Sequence, residues 1–415
     1  MRIKCEKKVC GNKDKFYSTM FFLSLSLRNK KSMDISKIPS PCYVLEAEKL
    51  RKNLRLIKRV QEESGAKIIM AFKAFALWDA FPIIREQFTC ATASSLSEAR
   101  LAAEMLGSPA HTYAPVYSPK EIDTILACSS HITFNSLSQL ETHRKSLVLS
   151  RQSGHDVSVG LRVNPEFSQV ETDLYNPCVP GSRLGIMSSQ LPAQLPEGVE
   201  GLHFHALCES GAEDLVRLLG AFEEKFGNWL PQVRWVNMGG GHLMTREGYD
   251  TALLIETIRG FRERHPGIEV ILEPGSAFAW RTGFLLTTVL DIVENHGIRT
   301  AMIDASFACH MPDCLEMPYE PEIRGAHQTP VAGEPTYRMG GNSCLSGDYV
   351  GEWSFPSELK VGDNIIFEDM IHYTTVKTTM FNGVSHPSIA IYDPQHGGLR
   401  VVRTYTYEDY KSRMG

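Results

Sequence analysis

Residues 89–116, TCATASSLSEARLAAEMLGSPAHTYAPV, hold the unit from which the fold can be read. Residues 89–94 form a short apolar, β-branched run of strand length. Residues 97–106 carry a helix pattern, with Ala99, Ala102, Ala103 and Leu106 on one face, and Gly107 closes it. Residues 111–116 are the next strand-like run. Outward from this unit, the same alternation extends over 67–73, 89–94, 111–116, 131–136, 157–164, 201–206, 234–240 and 269–275. Strands alternating with helices imply parallel pairing through crossover connections. Eight such units predict a (β/α)8 barrel of the TIM type, over 46–275.

Beyond Ser276 the character changes. Val361-Gly362-Asp363-Asn364-Ile365-Ile366-Phe367 and Ser388-Ile389-Ala390-Ile391-Tyr392 are strand-like and separated by turns rich in Gly and Pro. Residues 276–415 therefore read as a mostly-β domain. Pro41-Cys42-Tyr43-Val44-Leu45 is also strand-like, and 33–45 is expected to join that domain. In 1–32, Lys13 and Lys15 precede an apolar run that is too short to span a bilayer and lacks a small-residue cleavage site. Met33 reads like a natural start, so 1–32 is expected to be a misread start or a disordered extension.

With 415 residues, 43% of them hydrophobic, the chain can bury a large core. The net charge of −5 gives no reason to expect nucleic acid or a membrane as partner, and it suits a cationic substrate. Ten cysteines are scattered without a C-x-x-C pair, which predicts a reducing, cytoplasmic setting and no zinc ribbon.

In a barrel the active site lies at the C-terminal strand ends, and the unusual polar residues fall there. Lys73 closes the first run between apolar neighbours. Burial would lower its pKa and make the amine nucleophilic toward an aldehyde, although a lysine snorkelling at the rim is an equal reading. Gly239-Gly240-Gly241 follow the seventh run, where backbone N–H groups could approach a phosphate; such glycines also occur in ordinary tight turns. Glu273 after the eighth run could face a pyridine nitrogen or pair with Arg162 of the fifth. His203 and His205 place two imidazoles on one face of the sixth. They could begin a zinc site, but no further His or Asp set at the other strand ends completes one, so no metal is expected.

Together these segments resemble the fold-type III decarboxylases that depend on pyridoxal 5′-phosphate (PLP), the alanine racemase/ornithine decarboxylase-like group. The carrying motifs are Ala91-Thr92-Ala93-Ser94-Ser95, His203-Phe204-His205-Ala206-Leu207-Cys208-Glu209, Asn237-Met238-Gly239-Gly240-Gly241-His242, Cys344-Leu345-Ser346-Gly347-Asp348 and the long His372 to Gly383 segment. Within the group they are most similar to the carboxynorspermidine/carboxyspermidine decarboxylase branch. The resemblance implies that Lys73 bonds the cofactor and His205 stacks on its ring. Glu273 would pair with the ring nitrogen, with Arg162 nearby, and Gly239, Gly240, Gly241 and Tyr373 would hold the phosphate. It also implies a homodimer with shared sites, in which Cys344 enters the partner's site as proton donor and Asp348 faces the substrate. Acidic residues should line a polyamine tail; the candidates are Asp348, Glu209 and Asp313.

Two segments depart from the diaminopimelate decarboxylases: Ala206-Leu207-Cys208 follow the stacking histidine, and Ser276 stands where they carry arginine. The implied reaction is decarboxylation of carboxynorspermidine or carboxyspermidine to norspermidine or spermidine, one step of polyamine biosynthesis. The alternatives are another decarboxylase of the group, acting on diaminopimelate or a basic amino acid, a racemase on the same barrel, or a non-enzymatic PLP carrier.

Overall fold

The computed structural model describes residues 33–415. The expectation for 1–32 lies outside the described residues. Strand β1 (Cys42–Glu46) leads into the helix Ala47–Ser64, which buries Leu50, Leu54, Ile57 and Val60 along one face. That spacing of three and four residues is a single helical stripe. The helix stops at Gly65, whose φ of 71° lies in the left-handed region.

The barrel follows: β2 (Lys67–Ile68), β3 (Met70–Ala71), β4 (Ala91–Ala93), β5 (Ala110–Tyr113), β6 (Ser129–Phe134), β7 (Ser158–Arg162), β8 (Val199–His203), β9 (Trp235–Asn237) and β10 (Glu269–Leu272), all paired in parallel. β2 pairs with β10 and β3 with β4. Between them Ile69 donates to Leu272 O at 2.9 Å and Met70 to Cys90 O at 3.2 Å. They are thus one strand broken at Ile69, and nine segments make eight staves. In the unit opened by β4, Ser95 caps the helix by accepting from Glu98 N at 3.2 Å. Its last turn widens to a π turn over Ala102–Leu106 before Gly107, at φ 79°. The barrel predicted from eight alternations is present, and each stave overlaps its predicted run, with β5, β6 and β8 beginning one or two residues upstream of it.

The staves stop one to three residues short of the ends of those runs. β8 ends at His203, β9 at Asn237 and β10 at Leu272, so His205, the three glycines and Glu273 are loop residues just past the strands. Two residues upstream, on the same inward face, lies a layer of unusual composition. The His111 and His131 rings stack at 3.8 Å, and Trp235 meets His131 edge-on at 5.5 Å. Gly160 and Gly201 make room for that indole, since a Cβ at either would come within 2.2 Å and 2.0 Å of it.

The second sheet has the order β14-β13-β12-β11-β1-β16-β17, with β15 also on β11. Its strands are β11 (Gly283–Asn295), β12 (Ile298–Ile303), β13 (Thr336–Gly340), β14 (Tyr349–Ser354), β15 (Asn364–Glu368), β16 (Ser388–Asp393) and β17 (Gly398–Arg403). β1 runs antiparallel to β11 and parallel to β16, so the earliest strand lies inside the latest sheet. Cys42, Val44, Phe284, Leu286, Ile366 and Ala390 pack together there. No helix of the described residues is long and apolar enough to cross a membrane.

Candidate active site

The loops past the stave ends converge on one mouth. Glu273 is 7% exposed, and its Oε1 accepts from Asn237 Nδ2 at 2.7 Å. Burial pushes its carboxyl above the ordinary range, against the pull of Asn237, Thr92, Arg162 and Lys73. Lys73 lies two residues past β3, in a turn on which Gly275 packs: a Cβ there would come within 2.6 Å of the Ala74 Cβ. Its side chain opens into the mouth, yet protein crowds around it. That crowding, aided by the Arg162 charge, pushes the ammonium pKa down, with Cys208, Glu273 and Glu98 opposing.

His205 Nδ1 accepts from the Gly240 N–H at 3.0 Å, which puts the ring proton on Nε2. Burial, then Lys73 and Arg162, hold its pKa well below the ordinary histidine value, so the ring is neutral. The alternative reading, in which Arg162 pairs with Glu273, is not what the structure has. Arg162 donates to His205 O at 3.2 Å and lies over the Tyr113 ring at 4.7 Å; no ion pair joins it to Glu273 within 4.0 Å. It acts on the carboxylate only through its field.

The glycine run is also more committed than expected. Gly239 N–H donates to Asn237 Oδ1 at 2.9 Å and Gly240 N–H to His205, leaving the Gly241 amide outside both bonds. Glycine is required here by close approach. At Gly240 a Cβ would meet Glu273 O at 2.4 Å; at Gly241, with φ +90°, it would meet Leu207 O at 2.3 Å. Tyr373 joins the mouth from the second domain, its N–H donating to Ala74 O at 2.7 Å. It holds φ 52°, a strained value for tyrosine, and burial pushes its phenol pKa up.

The acidic candidates divide. Asp348 is buried, with Oδ1 accepting from Ala308 N–H at 3.0 Å and Oδ2 from Ser343 N–H at 3.1 Å and Ser343 Oγ–H at 2.6 Å. Those bonds clamp the loop that presents Cys344 and leave little of the carboxylate for a substrate amine. Asp313 is ion-paired with Lys377, which also holds Glu316, so its charge is already countered. Glu209 is exposed, at φ 48°, with no ion pair among the described residues. Its side chain meets solvent, yet protein crowding around the carboxyl pushes its pKa up, aided by Asp369 and Asp313 and opposed by His372 and Arg246. Cys344 is exposed, and its N–H donates to Asn382 Oδ1 at 2.8 Å, which joins two of the sequence motifs. Ser276 begins the short helix Ser276–Ala279.

Sequence reasoning missed Asn237, Tyr113 and Thr92. Asn237 heads the glycine motif, but an uncharged amide gives no sign of its partner. His203, His205 and Glu273 offer ligand atoms within 4.8 Å of one another. With the Lys73 and Arg162 charges facing the same space, a metal cation there would be repelled.

Four similarities bear on this arrangement. The family described as pyridoxal-dependent decarboxylase, C-terminal sheet domain, matches residues 36–371. A carboxyaminopropylagmatine decarboxylase from Synechocystis sp. is 51% identical over 381 residues, 92% of this chain and 97% of that one. A carboxynorspermidine/carboxyspermidine decarboxylase from Campylobacter jejuni is 42% identical over 391 residues, 92% of this chain and 100% of that one. The crystal structure of carboxynorspermidine decarboxylase complexed with norspermidine, also from C. jejuni, superposes with a TM-score of 0.82 at 41% identity, covering 91% of this chain and 100% of that one. A match of this length, in sequence and in both structural parts, means that this chain belongs to the pyridoxal-dependent decarboxylase family and is a carboxy-lyase.

Proposed function

We propose that this chain uses PLP to decarboxylate an α-amino acid whose side chain is a polyamine: carboxynorspermidine or carboxyspermidine, giving norspermidine or spermidine. The observation that carries this reading is the full-length likeness to the C. jejuni enzyme complexed with norspermidine. A second substrate, carboxyaminopropylagmatine, is favoured by the 51% identity of the Synechocystis relative. It differs at the far end of the tail, where agmatine carries a guanidinium in place of an amine.

The residues present fit the cofactor. An amine of lowered pKa, a neutral imidazole, a buried carboxylate and a glycine turn open on one space. In this reading Lys73 bonds the aldehyde, His205 lies against the ring, and Glu273 faces the ring nitrogen with Asn237 fixing its other oxygen. Arg162 holds the His205 loop through its carbonyl. Gly241, the turn around Gly239 and Gly240, and the Tyr373 hydroxyl receive the phosphate. PLP supplies an electron sink for the pair left on the α-carbon when the C–C bond to CO2 breaks. The partner's Cys344 returns a proton to that carbon, in a homodimer with two shared sites. Asp348 positions the Cys344 loop, and Glu209 serves the cationic tail, while Asp313 is held by Lys377. Single-residue departures at 206–208 and at Ser276 disfavour diaminopimelate. The eight described cysteines are unpaired, in keeping with a cytoplasmic enzyme.

The test is CO2 release from carboxynorspermidine, carboxyspermidine, carboxyaminopropylagmatine, diaminopimelate, ornithine and arginine, assayed side by side. A kcat/KM highest for a carboxylated triamine or its guanidino analogue supports the reading. A preference for diaminopimelate, ornithine or arginine overturns it. Pockets discriminate one methylene by only about 1–3 kcal/mol, so both carboxylated triamines are expected to turn over.

A further inference from the structure

The ring of His203 stands beside the carboxylate of Glu273 without a hydrogen bond. It is the last residue of β8 and is 2% exposed, and neither ring nitrogen has a partner among the described residues. Leaving two polar atoms buried and unbonded is costly, and most proteins avoid it. The ring is nevertheless well fixed. Tyr113 of β5 meets it edge-on at 5.3 Å and 89°, and Arg162 of β7 lies over that tyrosine's face. On the remaining side, His203 Nε2 is 3.7 Å from Glu273 Oε2. That is too long for a hydrogen bond and short enough for a small turn of the carboxylate to make one.

The two oxygens of Glu273 are thus unequal. Oε1 is held by Asn237 at 2.7 Å, Oε2 lies 3.7 Å from His203 Nε2, and the Thr92 side chain also bonds the carboxylate. We propose that His203 is a positioning residue, whose Nε2–H closes on Glu273 Oε2 and turns that carboxylate toward the cofactor's ring nitrogen. The proposal rests on the reading of Glu273 given above. A neutral donor suits this place, because the site already carries the charges of Lys73 and Arg162. A second carboxylate there would raise the pKa of Glu273 further, and a second cation would compete with the ring nitrogen for it.

The experiment compares His203→Leu, which fills the space without a donor, with His203→Gln, which keeps an N–H of similar reach. Each is reconstituted with PLP and read by cofactor Kd, by the absorption spectrum of the bound cofactor, and by kcat and KM separately. The Leu variant is expected to bind PLP about tenfold or more weakly, since a hydrogen bond to a charged group is lost. Its spectrum should shift and its kcat fall while KM stays near wild type; the Gln variant should recover most of each. Leu and Gln variants that are equally impaired would reduce His203 to packing, and a Leu variant like wild type in Kd and spectrum would remove the role altogether. Should the Leu variant not fold, His203→Asn, whose amide is one methylene shorter, takes its place, and Gln must then outperform Asn. Borohydride labelling of Lys73 in the wild type keeps the two claims apart. No label there overturns the PLP reading, whereas a label with silent His203 variants overturns this proposal alone.

Discussion

The side chain of Asn237 ties the buried carboxylate of Glu273 to the glycine turn: Nδ2 donates to Glu273 Oε1 at 2.7 Å, and Oδ1 accepts from Gly239 N–H at 2.9 Å. One amide thus sets the direction of this buried acid and the path of the loop beside it. Replacing Asn237 with Ala leaves Oε1 and the Gly239 N–H unbonded together. A loss of about 1–3 kcal/mol of stability is expected, read by urea denaturation of the PLP-free protein.

Removing the charge of Glu273 while keeping its shape tests its place opposite the ring nitrogen. Glu273→Gln should still bind cofactor, and kcat should fall by orders of magnitude, because the lost interaction counts most as negative charge develops. Near-normal turnover in steady-state assays would mean that the electron sink is set elsewhere.

Lys73 should carry the cofactor. Borohydride treatment of the reconstituted protein is expected to fix the cofactor's mass on the peptide containing Lys73, as read by mass spectrometry. A label on another lysine would overturn the assignment.

The shared site can be tested without a complex structure. Lys73→Ala and Cys344→Ala should each have little activity. If the residues serve one site from different chains, subunit exchange makes half the dimers mixed, each with one intact site, and activity returns to about a quarter of wild type. With exchange confirmed by tagged subunits, activity that stays at the parental level would place both residues in one chain.

Acid should destabilise the fold. His242 and His310 are buried, and burial lowers the pKa of each to about 4. An unfolded histidine titrates near 6.5, so below about pH 6.5 the unfolded chain takes up protons that the native state refuses. Stability therefore falls with pH, by at most about 1.4 kcal/mol per pH unit for each histidine. Glu273 works in the opposite sense: its raised pKa means that its own contribution weakens as pH rises through that value. Urea midpoints from pH 7 to 5 should fall, and His242→Gln should flatten the slope.

The barrel was legible because its signal is local and repeated. Each unit, such as Ala91–Ala93 and the helix closed by Gly107, carries its own period, cap and stop in consecutive residues. The polar residues at the stave ends were legible for the same reason: Lys73, His205 and Glu273 interrupt apolar runs at matching places. What consecutive residues cannot state is which side chains share a bond after the chain closes on itself. The partner of Glu273 is Asn237 rather than Arg162, two of the three glycine amides are engaged inside the loops, and Asp348 is spent on Ala308 and Ser343. Each of those outcomes depends on distances of a few tenths of an ångström between segments far apart in sequence. Hydrogen bonding is that short-ranged, so only the packed barrel and its neighbouring sheet could decide them.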